Sequence, residues 1–173
     1  EIIFEEKDMH SYSAREYQAQ IAVVPQKFSA PWGTVENYMH KTIRRYSHIK
    51  NPVKRLDEIG RKMNMSSILK RKMKCLTPGE LRWVVLTAQI AADSKVLFID
   101  EYEQHLGKEQ LKNLNNILYR KIHYDGITLI ATTQNKDCIK RLASVTISLE
   151  NGRITSLRSF SKKRDNYRNK RRK

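Results

Sequence analysis

Two adjacent carboxylates, Asp100 and Glu101, follow directly on the apolar run Val96–Ile99. Open α/β sheets do their chemistry at the carboxyl ends of buried strands, which is the place these side chains would occupy. In nucleotide hydrolysis the first acid would serve Mg²⁺ and its waters, and the second would polarise the attacking water. Acidic residues are also common in the loops after strands, so the pair alone fits an ordinary strand end as well.

Strands and helices alternate around this pair. The continuous apolar run 96–99 predicts a strand buried on both faces of a parallel sheet. Residues 80–92 and 107–124 are predicted as helices from their composition and apolar spacing. Further strands are predicted at Ile2–Phe4, Ile21–Val24 and Ile127–Thr132 (the last again buried), with a closing hairpin of Val145–Leu149 and Arg153–Leu157 joined through Asn151-Gly152. This order predicts an α/β fold with a parallel sheet.

A block of short helices is expected between residues 34 and 74. Apolar residues recur there at helical spacing, interrupted at Asn51-Pro52 and Gly60. Thr34 can cap the first helix with its hydroxyl. The last apolar group, Met65 to Leu69, continues the helical pattern.

Four segments resemble, in order, the motifs of ATP-binding cassette (ABC) ATPases. They are QIAVVPQKFSAPWGTVENYM at 20–39 (Q-loop region), LTPGE at 76–80 (signature), KVLFIDE at 95–101 (Walker B strand) and TLIATTQNKDCIKRLASVTISLENGRI at 128–154 (switch strand, helix and closing hairpin). The resemblance covers residues 1–157. It implies a P-loop NTPase-like α/β fold, in which a parallel sheet carries an inserted helical subdomain.

The resemblance also divides the chain. Its parts would be core strands and Q-loop (1–32), a helical subdomain (33–76), the signature helix with Walker B and closing strands (77–157), and a basic disordered tail (158–173). Thr77 lies 51 positions after Gln26, which leaves room for a compact subdomain of the transporter type. Chromosome-maintenance relatives insert long coiled coils at this place.

The resemblance assigns roles to individual residues. Glu101 would be the general base or water-polarising residue, and Gln134 takes the place of the switch histidine. Asp100 and Gln26 would serve Mg²⁺, and Gln26 would also sense the γ-phosphate of ATP. The predicted contacts to ATP held by a partner subunit are Thr77, Gly79 and Glu80. The implied ligands are ATP and Mg²⁺, and the implied partners are a second ABC ATPase subunit, in a homo- or heterodimer, and a membrane permease.

Several positions depart from the family pattern. Pro78 replaces a glycine and removes a backbone donor from the signature, whereas Thr77 keeps a hydroxyl and Gly79 the flexible position. Gln134 can donate a hydrogen bond but cannot carry a proton. Tyr102 stands where proline is usual, and Gly107 stands where the D-loop has aspartate. These departures predict slow hydrolysis or a partner that does more of the work; tolerated substitution with activity kept is the alternative.

No glycine in the chain begins a phosphate-binding GxxxxGK(S/T) loop. In the family that loop lies upstream of the segment resembling residues 1–26. We therefore expect the amino-terminal part of the domain to be missing here and the chain alone to bind ATP weakly. The chain would be an ATPase only in the complete domain.

The formal charge of +16 is concentrated in two segments. Residues 41–74 carry twelve Lys and Arg against two acids, and residues 153–173 carry ten against one, so the remainder is slightly acidic. The first segment could meet acidic loops of a partner or stay solvated. The tail 162–173 could bind RNA phosphates or an anionic membrane surface, or only aid solubility.

The sequence indicates a cytoplasmic protein, peripheral at the inner face of a membrane. It holds no apolar run of the roughly 18 residues needed to span a bilayer, and its two cysteines form no CxxC pair. Our leading hypothesis is the ATP-binding and ATP-hydrolysing subunit of an ABC-type assembly that powers transport of a solute across a membrane. The alternatives are a soluble ABC-type ATPase that remodels an RNA or protein complex through its basic tail, and a non-hydrolysing partner subunit.

Overall fold

The computed structural model describes residues 1–160, apart from the side chain of Gln18; the predicted tail from Lys162 lies outside the described residues. The strands are β1 (Ile3–Phe4), β2 (Lys7–Asp8), β3 (Ile21–Val24), β4 (Val96–Ile99), β5 (Thr128–Ala131), β6 (Val145–Glu150) and β7 (Arg153–Ser159). The helices are α1 (Ala14–Gln20), α2 (Val35–Ile43), α3 (Pro52–Lys62), α4 (Pro78–Ala91), α5 (Lys108–Tyr124) and α6 (Lys136–Ile139).

Three parallel strands in the order β3-β4-β5 form the central sheet. Helices α2, α3 and α4 lie between β3 and β4 along the chain, and α5 lies between β4 and β5. Parallel neighbours need such long connections, because the chain must return to the same end of the sheet before the next strand begins. The predicted α/β class, with its parallel sheet, is confirmed.

Helix α4 joins the sheet to the helical block. Its side chains are buried along most of its length, and it packs against β3 on one side and against α2 and α3 on the other. Residues of the helical block such as Ile43 and Ile59 therefore belong to the same hydrophobic core as Leu97 and Ile99 of β4. The inserted helices and the sheet share one core and have no separate cores.

The expectation that β4 and β5 are buried on both faces is wrong within the described residues. Phe98 is 36% exposed, and its neighbours in register, Val23 and Ile130, are 49% and 48% exposed. The opposite face, with Leu97 and Ile99, is buried. A continuous apolar run predicts that both faces can be covered, but only the packed helices decide which face is.

The prediction that Met65 to Leu69 form a helix is also wrong. Helix α3 ends at Lys62, and residues 64–71 form turns followed by a 3₁₀ turn at Met73–Cys75. Asn64 adopts a φ of 52°, and the Met65 N–H donates to Gly60 O at 2.9 Å. Helices commonly end in this way, with one left-handed residue that closes the last carbonyls.

Three further elements can be compared with the prediction: helix α1, the closing hairpin and the end of strand β7. Helix α1 was not predicted, although Ser13 and Glu16 form a complete capping box at its start. The closing hairpin is confirmed, with Asn151 and Gly152 both at positive φ as its turn requires. Strand β7 continues to Ser159, so two residues assigned to the tail lie in the strand.

Among the described residues, no helix has the length and apolar character to cross a membrane.

Candidate functional site

The carboxyl ends of β3, β4 and β5 form one edge of the sheet. Their last residues, Val24, Ile99 and Ala131, are paired in register. The Asp100 N–H donates to Val24 O at 2.9 Å, and the Thr132 N–H donates to Ile99 O at 3.0 Å. The predicted acids therefore lie at the edge where parallel sheets bind ligands.

Thr132 holds the two acids in place. Its hydroxyl donates to Asp100 Oδ1 at 2.6 Å and accepts the Glu101 N–H at 2.8 Å. Glu101 has a φ of 47°, a left-handed conformation that a residue with a side chain keeps only where its surroundings support it. Asp100 is exposed and Glu101 is half-buried, so both carboxylates remain accessible to a ligand.

The two predicted catalytic residues meet at this edge. Gln134 Nε2 lies 3.5 Å from Glu101 Oε1, at the long limit of a hydrogen bond. So long a contact is weak, and it leaves the Gln134 amide free to turn towards a bound group. The structure thus brings together Asp100, Glu101 and Gln134.

Glu103, which the sequence analysis missed, fastens the segment after β5 to the segment after β4. Its Oε2 accepts the Thr133 hydroxyl at 2.6 Å, and its Oε1 accepts the N–H groups of Gln134 and Asn135, each at 3.1 Å. Desolvation raises the pKa of Glu103, but these hydrogen bonds outweigh it and leave the pKa below its ordinary value. No local pattern could have indicated partners about 30 positions away.

Tyr102 stands where the family has proline, and it makes two hydrogen bonds that proline could not make. Its N–H donates to Thr132 O at 2.8 Å, a bond that needs the amide proton proline lacks. The buried phenol donates to Asn115 Oδ1 at 2.7 Å, and Asn115 Nδ2 donates to Cys138 O at 2.9 Å. Burial raises the pKa of the Tyr102 phenol. The substitution therefore ties the acid segment to α5 and α6.

Arg82 of α4 lies beneath the site with 6% of its surface exposed. Its guanidinium donates to Pro25 O at 2.6 Å, to Asp100 O at 2.5 Å and to Glu101 O at 2.9 Å. Arg82 lies outside the motifs named above, and its signal in the sequence is an arginine inside the otherwise apolar helix segment LRWVVL.

The predicted signature residues form the first turn of α4. Thr77 caps the helix, because its hydroxyl accepts the Glu80 N–H at 3.3 Å, while Glu80 Oε2 accepts the Thr77 N–H at 2.8 Å. Glu80 Oε1 also accepts from Arg71 at 2.5 Å. The backbone bond from Thr77, followed by the Arg71 contact, lowers the pKa of Glu80. The carboxylate of Glu80 is therefore already occupied by the cap and by Arg71.

Gly79 lies inside α4 and has no positive φ, so its backbone conformation does not by itself require glycine. A Cβ atom built on it would lie 2.8 Å from His105 O, closer than such atoms can approach. Glycine is needed here because the loop after Glu101 touches the helix. Thus the first turn of α4 contacts the segment that carries the acids.

Gln26 follows Pro25 directly at the end of β3, and its side chain is exposed. It lies at the same edge as the acids, since the Pro25 carbonyl shares the Arg82 guanidinium with Asp100 and Glu101. Together these residues offer carboxylate, amide and hydroxyl oxygens, which are the donors that Mg²⁺ prefers. Residues 1–160 hold no group of three or more His, Cys, Asp or Glu placed to bind a metal unaided. The donor set therefore fits an ion that takes most of its ligands from phosphates and water.

Comparison with known proteins gives a consistent result. The family model for ABC transporters matches residues 1–104. Among curated proteins, the chain is 30% identical over 102 residues to the cytochrome c biogenesis ATP-binding export protein CcmA of Rickettsia bellii, covering 58% of this chain and 52% of that protein. It is 23% identical over 166 residues to the phosphonates import ATP-binding protein PhnC of Ruegeria pomeroyi, covering 88% and 61%.

Solved structures share the fold at low sequence identity. The ATP-binding cassette MJ0796, in a dimeric post-hydrolysis state bound to ADP and Pi, matches with a TM-score of 0.78 at 16% identity, covering 90% of this chain and 71% of that one. CbiO1 from Clostridium perfringens, part of the cbiONQ ABC transporter complex, matches with a TM-score of 0.66 at 20% identity, covering 90% and 64%. The chain spans between about half and two thirds of the length of its curated relatives.

Proposed function

The chain belongs to the ABC transporter family, and from that premise we propose that it is an ATP-binding and ATP-hydrolysing subunit of an ABC-type assembly. The observation that carries the proposal is the cluster of Asp100, Thr132, Glu101 and Gln134 at the carboxyl edge of the parallel sheet. Both carboxylates are held at this edge, and that of Glu101 lies beside the Gln134 amide, a hydrogen-bond donor. This arrangement suits the activation of a water molecule for attack on a phosphate.

Each residue has a distinct role in this proposal. Glu101 takes or polarises the proton of the attacking water, and Gln134 donates a hydrogen bond that orients that water. Asp100 would hold Mg²⁺ through its waters, and Gln26 would offer its amide oxygen to Mg²⁺ and its amide NH₂ group to the γ-phosphate. When bound, Mg²⁺ neutralises negative charge on the phosphate oxygens. Thr132 keeps Asp100 and Glu101 in register through its hydroxyl.

We further propose that two such subunits sandwich ATP, in a homo- or heterodimer. The first turn of α4 would then face the nucleotide of the partner subunit through Thr77 and Gly79, with Glu80 stabilising the turn by its cap. The dimeric state of MJ0796 supports this arrangement. The curated relatives are named for export and for import, which supports a membrane permease as the other partner and transport of a solute as the outcome.

The test is ATP hydrolysis by the complete domain, with its phosphate-binding loop, assembled with its partner subunit. Glu101→Gln should lower kcat by about 10²- to 10⁴-fold, the usual contribution of a general base. Glu109→Gln is the matched control, because Glu109 is an exposed acid at the start of α5, and its rate should stay at the wild-type level. An unchanged rate in Glu101→Gln would show that the assigned role is wrong.

A second candidate is a non-hydrolysing subunit that completes the site of another chain. Pro78 removes a backbone donor from the first turn of α4, and Gln134 cannot carry a proton. This candidate predicts hydrolysis only in the heterodimer. Steady turnover by a homodimer of this chain would exclude it. The comparisons give no support to RNA as a partner of residues 162–173.

A further inference from the structure

Arg82 is buried without a carboxylate partner. Arginine is almost never fully buried unless it is paired, yet none of the ion pairs among residues 1–160 includes Arg82. Burial lowers the pKa of its guanidinium, while the charges of Asp100 and Glu101 act in the opposite direction. A desolvated cation therefore lies beneath the acidic site.

The two terminal nitrogens of Arg82 donate to backbone carbonyls from two different loops, whereas the buried Nε has no hydrogen-bond partner among the described residues. One terminal nitrogen donates to Pro25 O, and the other donates to Asp100 O and to Glu101 O. Pro25 precedes Gln26, and the other two carbonyls belong to the acids themselves. The planar guanidinium holds its donors in a fixed fork, so it fixes the distance between the Gln26 loop and the acid loop.

The same helix touches the acid loop at a second point. Gly79 lies one turn before Arg82, and the His105 carbonyl packs against the place where a Gly79 side chain would be. Glu101 and His105 both have positive φ, at 47° and 59°. Contacts at both ends of the segment 101–105 can maintain such a conformation, which is otherwise disfavoured for these residues.

We propose that Arg82 is a positioning residue that joins the Gln26 loop and the Asp100–Glu101 loop to the first turn of α4. Hydrogen bonds to both loops make the Gln26 loop, the Asp100–Glu101 loop and the first turn of α4 move as one unit. Arg82 acts through the backbone carbonyls of Pro25, Asp100 and Glu101, to which it donates. Its catalytic role rests on the proposed function, whereas the linkage itself does not.

Three variants of the complete domain, measured with its partner subunit, test the proposal. Arg82→Met removes all three hydrogen bonds and keeps most of the volume. Arg82→Lys keeps the charge and can reach part of the carbonyls. Lys121→Met is the matched control, because Lys121 is an equally buried cation, 4% exposed, that pairs with Asp93 and Asp125 instead of the site.

We expect Arg82→Met to lower kcat by about 10- to 100-fold, with KM for ATP changed less than about threefold, since small misplacement costs rate more than binding. Arg82→Lys should recover part of kcat. Lys121→Met should keep kcat at temperatures well below its unfolding midpoint. Equal loss of kcat in Arg82→Met and Lys121→Met would reduce Arg82 to a stabilising residue and overturn the proposal.

Amide hydrogen exchange separates this inference from the proposed function. Arg82→Met and Arg82→Lys should accelerate exchange in residues 100–105 relative to wild type, and Lys121→Met should not. Accelerated exchange in a protein that does not hydrolyse ATP would support the linkage and refute the proposed function. Unchanged exchange and unchanged kcat in an active protein would refute the inference and leave the proposed function standing.

Discussion

At the scale of single residues, the site depends on side chains that hold backbone. Thr132 accepts the Glu101 N–H, Glu103 accepts the N–H groups of Gln134 and Asn135, and Arg82 donates to three carbonyls. Buried or half-buried backbone groups need such partners, because an unpaired one costs free energy. The residues that would do the chemistry are thus positioned by others that the family motifs do not mark.

Glu103→Gln should reduce stability at neutral pH and make the loss depend on pH. The pKa of Glu103 is lower in the folded state than in the unfolded chain, so its stabilisation is present above the unfolded pKa and disappears as pH falls through the folded pKa. The gap in unfolding free energy between wild type and variant should therefore be constant near pH 7 and shrink in acid.

Urea titrations at a series of pH values measure this gap. Glu150→Gln serves as the control, because Glu150 is exposed at the end of β6, and it should follow wild type throughout. A gap that stays constant from neutral pH down into acid would show that the hydrogen bonds to Glu103 do not depend on its ionisation.

At the scale of elements, α4 is the central piece. It carries the capped first turn, packs between the sheet and helices α2 and α3, and contacts the acid loop at Gly79 and Arg82. A helix usually gains from replacing glycine by alanine, by up to about 1 kcal/mol. Close packing reverses that gain wherever the added methyl group has no room.

Gly79→Ala and Gly60→Ala should therefore have opposite effects. The added Cβ at Gly79 would lie 2.8 Å from His105 O, whereas at Gly60 the nearest atom is Met65 Cβ at 3.9 Å, an ordinary contact. We expect Gly79→Ala to cost about 1–3 kcal/mol of unfolding free energy and Gly60→Ala to add about 0.4–1 kcal/mol. Chemical denaturation measures both, and a stabilised Gly79→Ala variant would contradict the close approach of the acid loop.

At the scale of the whole molecule, a single hydrophobic core spans the inserted helices and the sheet. Leu86 and Ile90 of α4 lie between them and are buried. The buried Lys121 of α5 pairs with Asp93, and Asp93 also forms an ion pair with Arg55 of α3 at 2.9 Å. The helical block is therefore joined to the sheet by packing and by charge, so it should not unfold separately.

Leu86→Ala should lower the unfolding free energy by about 2–5 kcal/mol, the usual cost of such a cavity. Trp83 donates its indole N–H to Met63 O at 2.8 Å, at the end of α3 in the helical block. Measured in a Trp32→Phe background, its fluorescence and the far-ultraviolet circular dichroism should shift to the same new midpoint, as a two-state transition requires. Leu149 is 68% exposed on the hairpin, so Leu149→Ala should change the unfolding free energy by no more than about 0.5 kcal/mol with either probe. Separate midpoints for the two probes would show that the helical block unfolds independently.

The sequence by itself determined the order of the main strands and helices, apart from β2 and α1, together with the parallel sheet and the place of the acids at its edge. Apolar runs, helix caps and turn residues act within a few positions, so β3, α4, β4 and the closing hairpin could be predicted from them. The tertiary structure alone decided that Arg82 and Glu103 hold the site, that Gly79 is needed for a close approach, and that one face of β4 stays open within residues 1–160. These features join residues far apart along the chain, and only packing decides which of them meet.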